Sequence, residues 1–301
     1  MELVKEKIQH GSSSRSVRKK SNLFLMWKAF KKDKAAVFGA IIVILSILIA
    51  ILAPVISPYD PNVAEDTSLR LKPPGTEGHL LGLDGQGRDI LSRLLHGTLL
   101  SLSIGFLPVL FAFIISVTLG VIAGYYQGWL GTLIMRVMDI LFAFPMVLLG
   151  VALAAVLGSG FPNLVTTLTI VFIPYLTRVV YSATIEVREK EFIVAAKACG
   201  SRDFQIILGD IVPNILSRVI VYCTTNIGLM IVFGSGLSFL GLGIQPPDAE
   251  WGSMTRDGKD VISLAPHVAA FPGIAILLVA VGFNFLGDGL RDALDPHLRD
   301  K

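Results

Sequence analysis

Few residues in this chain combine chemistry with a pattern. Gly252–Asp260, GSMTRDGKD, comes nearest to a phosphate-binding loop. It has one residue too many between its glycines, and Asp260 stands where a hydroxyl residue must follow the Lys. Gly82–Asp89, GLDGQGRD, is also glycine-rich. It lacks the strand and spacing of a nucleotide loop, and its acids do not follow the calcium-loop spacing. It reads as turns, with Asp89 near the start of a short amphipathic helix through Ile90, Leu91, Leu94 and Leu95 on the outer surface. The histidines are scattered. His79, His96 and His267 show no paired metal-ligand spacing, and no arrangement supplies a nucleophile with its base. Asp139 follows Arg136 by three residues, which pairs them on one helical face. Cys199 and Cys223 read as small apolar side chains rather than as a disulfide.

One stretch remains, Glu191–Asn214, EFIVAAKACGSRDFQIILGDIVPN. Ala195, Ala196 and Cys199 share a helical face by their i, i+1, i+4 spacing, and small side chains let a helix backbone enter a groove. Gly200 is a natural stop because it tolerates positive φ. Ser201 caps the next helix, with Asp203 in its favourable first turn. The chemistry on offer is recognition by another protein. A solvated connector is the alternative that the segment alone leaves open.

The elements around it are dictated by apolar runs. Of 301 residues 53% are hydrophobic and 16% charged, where a soluble domain carries about a quarter, and the mean hydropathy is +0.68. Ala35–Ile56 has no charged residue, and neither does the stretch between Arg93 and Arg136. About 20 apolar residues cross a bilayer, so the longer stretch holds two spans and a turn. The class is an all-α polytopic membrane protein, because a β-barrel would show short alternating segments. Six spans are expected, roughly 35–57, 97–123, 133–157, 162–183, 212–241 and 268–288. The turns Gly124–Trp129 and Gly158–Asn163 separate them, and Tyr125, Tyr126 and Trp129 suit an interface.

Lys and Arg set the orientation. Ten precede the first span, whereas Arg70, Lys72, Arg88 and Arg93 of the next loop are outnumbered by six acids. The positive-inside rule puts both termini in the cytoplasm, with Glu191–Asn214 on the cytoplasmic side. The basic run before the first span is no cleaved signal, since the apolar run is too long and lacks a cleavage pattern. Residues 1–34 form either a solvated tail or a strip on anionic lipid, given Phe24, Trp27 and Phe30 among the lysines.

The centres of the spans hold no ionisable group, with Asp139, Arg178 and Arg218 placed near the cytoplasmic ends. An ion-coupled carrier needs buried charges, and a structural membrane subunit of an enzyme complex needs cofactor ligands such as paired intramembrane His. Uphill transport by this chain would draw its energy from elsewhere. Gly120 and Gly124 make a small-xxx-small pair for close helix packing. Gly234, Gly236, Gly241 and Gly243 either pack or break a helix beside a cavity.

Glu191-x-x-x-Ala195-Ala196-x-x-x-Gly200, followed by Ile211-Val212-Pro213-Asn214, resembles the EAA loop of binding-protein-dependent ABC importer permeases. Asp210 departs from the His common in the peptide-importer branch, and Val212 from the usual Leu. His79–Leu102, Arg136–Pro145 (RVMDILFAFP), Ser238–Gly252 (SFLGLGIQPPDAEWG) and Asn284–Pro296 are similar to the second, C-type permease subunit of dipeptide, oligopeptide and nickel importers. GYYQGW, VLGSG and APHVAAFP look like the glutathione-importer member.

The resemblance implies a type I ABC importer permease fold. A basic tail (1–34) and a peripheral first span (35–57) would lead to an extracytoplasmic loop (58–96). A five-helix core (97–288), with its coupling segment at 186–214, would end in a cytoplasmic tail (289–301). It implies that Glu191, Ala195, Ala196, Lys197, Cys199, Gly200, Ser201 and Arg202 meet an ATPase subunit. It also implies that Asp84, Arg88, Asp89, Gly241, Gly243, Pro246, Pro247 and Trp251 serve an outer gate or a binding-protein contact. The implied partners are a homologous permease, two ABC ATPases that take ATP and Mg, a solute-binding protein and membrane lipid, with no nucleic acid. This chain would bind no cofactor and catalyse no reaction. The expected cargo is a di- or oligopeptide or a glutathione-like molecule. A nickel or metal-chelate importer of the same family is the alternative, and an ion-coupled carrier the alternative class.

Overall fold

The computed structural model describes residues 30–64, 67–76 and 78–294. Most of the basic tail and the last residues, with Arg299 and Lys301, lie outside them, and so does the lipid-strip reading of the tail. The chain is a helical bundle: α1 (Lys34–Ile56), α2 (Ile90–Tyr126), α3 (Gly128–Phe142), α4 (Met146–Leu157), α5 (Phe161–Arg188), α6 (Glu191–Ala198), α7 (Asp203–Ile206), α8 (Val212–Phe239), α9 (Trp251–Lys259) and α10 (His267–Leu294). A π turn, Ile207–Ile211, fuses α7 to α8. Among the described residues five helical runs are long and apolar enough to cross a membrane, or six if the bent pair α3–α4 counts as one span.

Two sequence expectations change. The surface helix expected through Ile90–Leu95 is the first turn of α2, which runs 37 residues without a break. Asp89 caps it, Oδ2 accepting from the Ser92 amide at 2.7 Å, and Ile90 is buried against Ala265 and Val268. An apolar face at the start of a long helix had a neighbouring helix to cover it and no need of a lipid surface. The third span, expected as one run, breaks between Phe142 and Met146 with a 90° bend. Pro145 lacks an N–H, and the residue before a proline is disfavoured in the helical region. Pro108, Pro174 and Pro272 interrupt no helix, and each is buried. Phe142, Ala143, Phe144 and Pro145 are all exposed at the bend.

The centre of the bundle is α5 against α2. Gly120 and Gly124 lie on this contact, where a Cβ would come within 2.7 Å of Val180 Cβ and 2.8 Å of Thr184 Cβ. Close approach of two backbones explains the small-xxx-small pair. Leu164, Leu168, Phe172, Leu176 and Val180 form one fully buried stripe of α5. By contrast α1 buries only Ala36, Gly39, Val43, Ser46, Ala50 and Ala53, a narrow seam against its neighbours, and turns Phe38, Ile44 and Ile51 outward. Gly234 and Gly236 lie within an unbroken α8. The chain turns after it at Gly241, whose φ is +85°.

Candidate functional site

The Glu191–Ile211 segment hangs from the ends of α5 and α2. Ile193 is its anchor, fully buried in the main core, and Ile206 and Ile211 repeat that role in α7 and the π turn. α6 ends in a Schellman motif. Gly200 N–H donates to Lys197 O at 3.0 Å and Ser201 N–H to Ala196 O at 3.1 Å, with Gly200 at φ +82°. The expected cap of the next helix moves by one residue. Arg202 holds the N-cap position of α7, and its amide donates to Gln205 Oε1 at 3.0 Å. Ser201 is spent on closing α6. Asp210 lies half-buried in the π turn, and its carbonyl accepts from Asn214 Nδ2 at 2.6 Å.

A side-chain tether completes the attachment. The buried Tyr125, at the end of α2, donates its hydroxyl to Asp203 Oδ1 at 2.5 Å, and Lys197 Nζ sits 4.6 Å from the Tyr125 ring centre. Lys197, expected to point at another subunit, is held in part by its own chain. A hydrogen bond to a charged acceptor contributes about 1.5–3 kcal/mol. Tyr125→Phe is therefore expected to loosen α6 and α7 selectively. Hydrogen exchange should rise at residues 193–206 and stay unchanged at 164–180.

The outward face differs from the expected one. Ala196 is half-buried and turned toward the core, whereas Glu191, Ala195, Lys197, Cys199, Gly200, Ser201 and Arg202 are exposed. The face also includes large apolar side chains that the sequence reading passed over: Phe192 (43% exposed), Val194 (59%), Phe204 (70%) and Leu208 (52%). The signal was available. Once Ile193 and Ala196 take the inner side of an eight-residue helix, Phe192 and Val194 have nowhere to go but out.

At the opposite end of α2 the loop before it is clasped by charges. Asp84 accepts from the Gln86 and Arg88 amides at 2.8 and 3.0 Å and from Arg88 Nε at 2.8 Å, with Arg93 Nε at 3.6 Å. Arg93 Nη1 donates to Pro61 O at 2.8 Å and reaches Pro247 O at 3.4 Å. Asp89 Oδ1 is 2.9 Å from His79 Nδ1. Trp251 donates its amide to Ser101 Oγ and its ring N–H to Leu94 O, both at 3.1 Å. Glu250 caps α9 by accepting from the Gly252 and Ser253 amides at 2.7 and 2.8 Å. Burial raises its carboxyl above the ordinary value against the pull of those two donors. Asp84, Arg88, Asp89, Gly243 and Trp251 are buried, so a binding-protein contact expected of them is not on this chain's surface; Pro246 and Pro247 of that set are exposed, with Gly241 between.

The Arg136–Asp139 pair is also corrected. Asp139 Oδ1 accepts from Arg178 Nη2 at 2.6 Å, and the same guanidinium lies 4.4 Å from the Phe142 ring centre. A partner across a helix contact displaced the one along the helix. A second pair, Arg218 Nη1 to Glu186 Oε2 at 2.6 Å, stands beside a cleft of about 1020 Å³ between α5, α8 and α10.

The described residues form a multi-span helical bundle that turns a short helix of small and apolar residues outward, the architecture of a membrane subunit rather than of an enzyme site. Residues 116–300 match the family described as binding-protein-dependent transport system inner membrane component, and residues 21–74 the N-terminal TM domain of oligopeptide transport permease C. The chain belongs to the first of these families, the permeases of binding-protein-dependent ABC importers. It is 43% identical over 273 residues to the glutathione transport system permease protein GsiD of Pectobacterium atrosepticum, covering 91% of this chain and 90% of the relative. It is 46% identical over 274 residues to the dipeptide transport system permease protein DppC of Alkalihalophilus pseudofirmus, covering 91% and 89%. In fold it is similar to a chain of the inward-facing MetNI methionine ABC transporter, with a TM-score of 0.59 at 18% identity over 68% of this chain and 98% of the other.

Proposed function

We propose that this chain is one half of a heterodimeric pore that imports di- or oligopeptides, or glutathione-like molecules, at the expense of ATP hydrolysed in two partner subunits. A solute-binding protein delivers the cargo, and both termini lie in the cytoplasm by the positive-inside rule. The relatives named for glutathione and dipeptide transport support the cargo class. The observation that carries the coupling role is α6 itself. Phe192, Val194, Ala195, Cys199 and Gly200 face outward from a segment tied to the bundle by Ile193 and by the Tyr125–Asp203 hydrogen bond. A face that takes a push must be both exposed and rigidly attached. ATP-driven closure of the partner subunits would move α6 and α7 as one body and, through Tyr125 and the π turn, tilt α2 and α8. Glu191 and Arg202 flank this face as polar contacts.

Reconstitution of the chain with its partner permease, ATPases and binding protein in proteoliposomes tests the reading. Labelled dipeptide should enter only with ATP and the binding protein present. Uptake that persists without ATP would refute it, and uptake of a nickel chelate in preference to peptide or glutathione would favour the metal-importer alternative.

A further inference from the structure

Along the second half of α5 the exposed side chains are Arg178, Ser182 and Glu186, while the residues between them are buried or half-buried. Positions 178, 182 and 186 fall on one stripe of an α-helix. A membrane-crossing helix that faced lipid would show the reverse pattern, since charged side chains within a bilayer turn to protein or to water. Each end of the stripe carries an ion pair with a different helix. Arg178 meets Asp139 of α3, each 44% exposed, and Glu186 meets Arg218 of α8, 52% and 56% exposed. Eight residues of helix separate the pairs by about 12 Å, and Arg178 lies about 15 Å from the end of α5. The upper pair adjoins the break between α3 and α4, where Phe142 lies under the Arg178 guanidinium. The lower pair borders the cleft of about 1020 Å³.

Half-exposed ion pairs are poorly explained as fold-stabilising contacts, because solvent screens them and ordering two long side chains is costly. They are well suited to exchange partners. We infer that the Arg178–Ser182–Glu186 stripe, with Asp139 and Arg218, is a water-lined stretch of the passage that holds the charged ends of a zwitterionic cargo. The carboxylate of a peptide replaces Asp139 on Arg178, its ammonium group replaces Arg218 on Glu186, and each displaced residue re-forms its pair when the cargo leaves. This rests on the peptide-import reading, since only a cargo with both charges uses both pairs. The spacing of about 12 Å suits an extended chain of about four residues, and a shorter peptide uses the pairs in turn.

Two measurements on the reconstituted complex separate this inference from the reading beneath it. In a background of Cys199→Ser and Cys223→Ser, Ser182→Cys should react with a membrane-impermeant thiol reagent about tenfold faster than Ile44→Cys on the outer face of α1. This reports water access whatever the cargo is, and an unreactive Ser182→Cys in both nucleotide-free and ATP-bound complexes would overturn the inference. The doubly neutral variant Asp139→Asn with Arg178→Gln leaves no lone charge. It should lower dipeptide uptake about tenfold, equal to about 1.4 kcal/mol, while ATP hydrolysis stimulated by the loaded binding protein changes little. Unchanged uptake would overturn the role in cargo binding, and so would an equal loss of uptake and hydrolysis, which is the mark of a structural pair. Wild-type complex that takes up no peptide would instead sink the import reading.

Discussion

Replacing Gly200 with Asp is expected to abolish ATP-dependent uptake while leaving the chain folded and inserted. Gly200 takes φ +82°, and no heavy atom lies within 4 Å of where its Cβ would stand. An L-residue in this region costs about 1–2 kcal/mol, and Asp is among the side chains that visit it most readily. The fold therefore absorbs the change. What the Asp alters is the surface: a carboxylate next to Cys199 and Ala195, where a partner must approach the backbone closely. Loss of about 1.4 kcal/mol of docking lowers occupancy of the docked state tenfold, and a charge left unpaired in an interface costs more. Membrane content of the variant should match wild type and its thermal stability fall only by a few degrees, while uptake and binding-protein-stimulated ATP hydrolysis fall to background. Normal ATP-dependent uptake by Gly200→Asp would remove the coupling role from this turn.

Asp84→Asn should be the most damaging single change outside the helices that cross the membrane. Asp84 is the carboxylate nearest two buried guanidiniums, those of Arg88 and Arg93, whose side chains are 3% and 2% exposed. Removing one partner of a buried pair costs about 3–5 kcal/mol because the remaining charge stays desolvated. The Asn carbonyl can still accept from the Gln86 and Arg88 amides, so the loss is mainly of charge. Asp257 makes the matched control. It lies 3.8 Å from Arg88 Nη2 but is 28% exposed, and an ion pair of that kind contributes about 0–1 kcal/mol. Thermal unfolding of the detergent-solubilised complex should show a large drop for Asp84→Asn and a small one for Asp257→Asn. Equal shifts would mean that Asp84 is not the keystone of the clasp.

The parts of this protein that were legible beforehand are those set by composition over many residues. An interval with no charge from Leu94 to Met135 belongs in lipid whatever its neighbours do; most of it is the single long helix α2, and the turn at Gln127 leaves only its last residues to α3. Gly200 was legible because its demand is local: a helix that must stop at that point needs a residue tolerant of positive φ, and Gly200 takes φ +82°. The Glu191–Gly200 pattern likewise led to the family that the matched residues bear out.

Tertiary contacts settled the rest. Four prolines lie inside helices and leave them whole, whereas Pro145 marks a 90° bend. Nothing in the proline itself distinguishes these cases: Pro108, Pro174 and Pro272 are buried, Pro54 is exposed in an unbroken α1, and Pro145 is exposed at the bend. Asp139 had a candidate partner three residues away and took Arg178, thirty-nine residues on, because the contact of α3 with α5 brings a guanidinium closer than helical spacing does. Asp84, Arg88 and Trp251 looked like surface residues and proved to be internal, since one carboxylate and a few carbonyls suffice to satisfy buried donors once the loop folds over α2. Periodicity and turn chemistry act along the chain, so sequence carries them. Which charge meets which, and which side of a helix another covers, depends on groups far apart in sequence that only packing brings together.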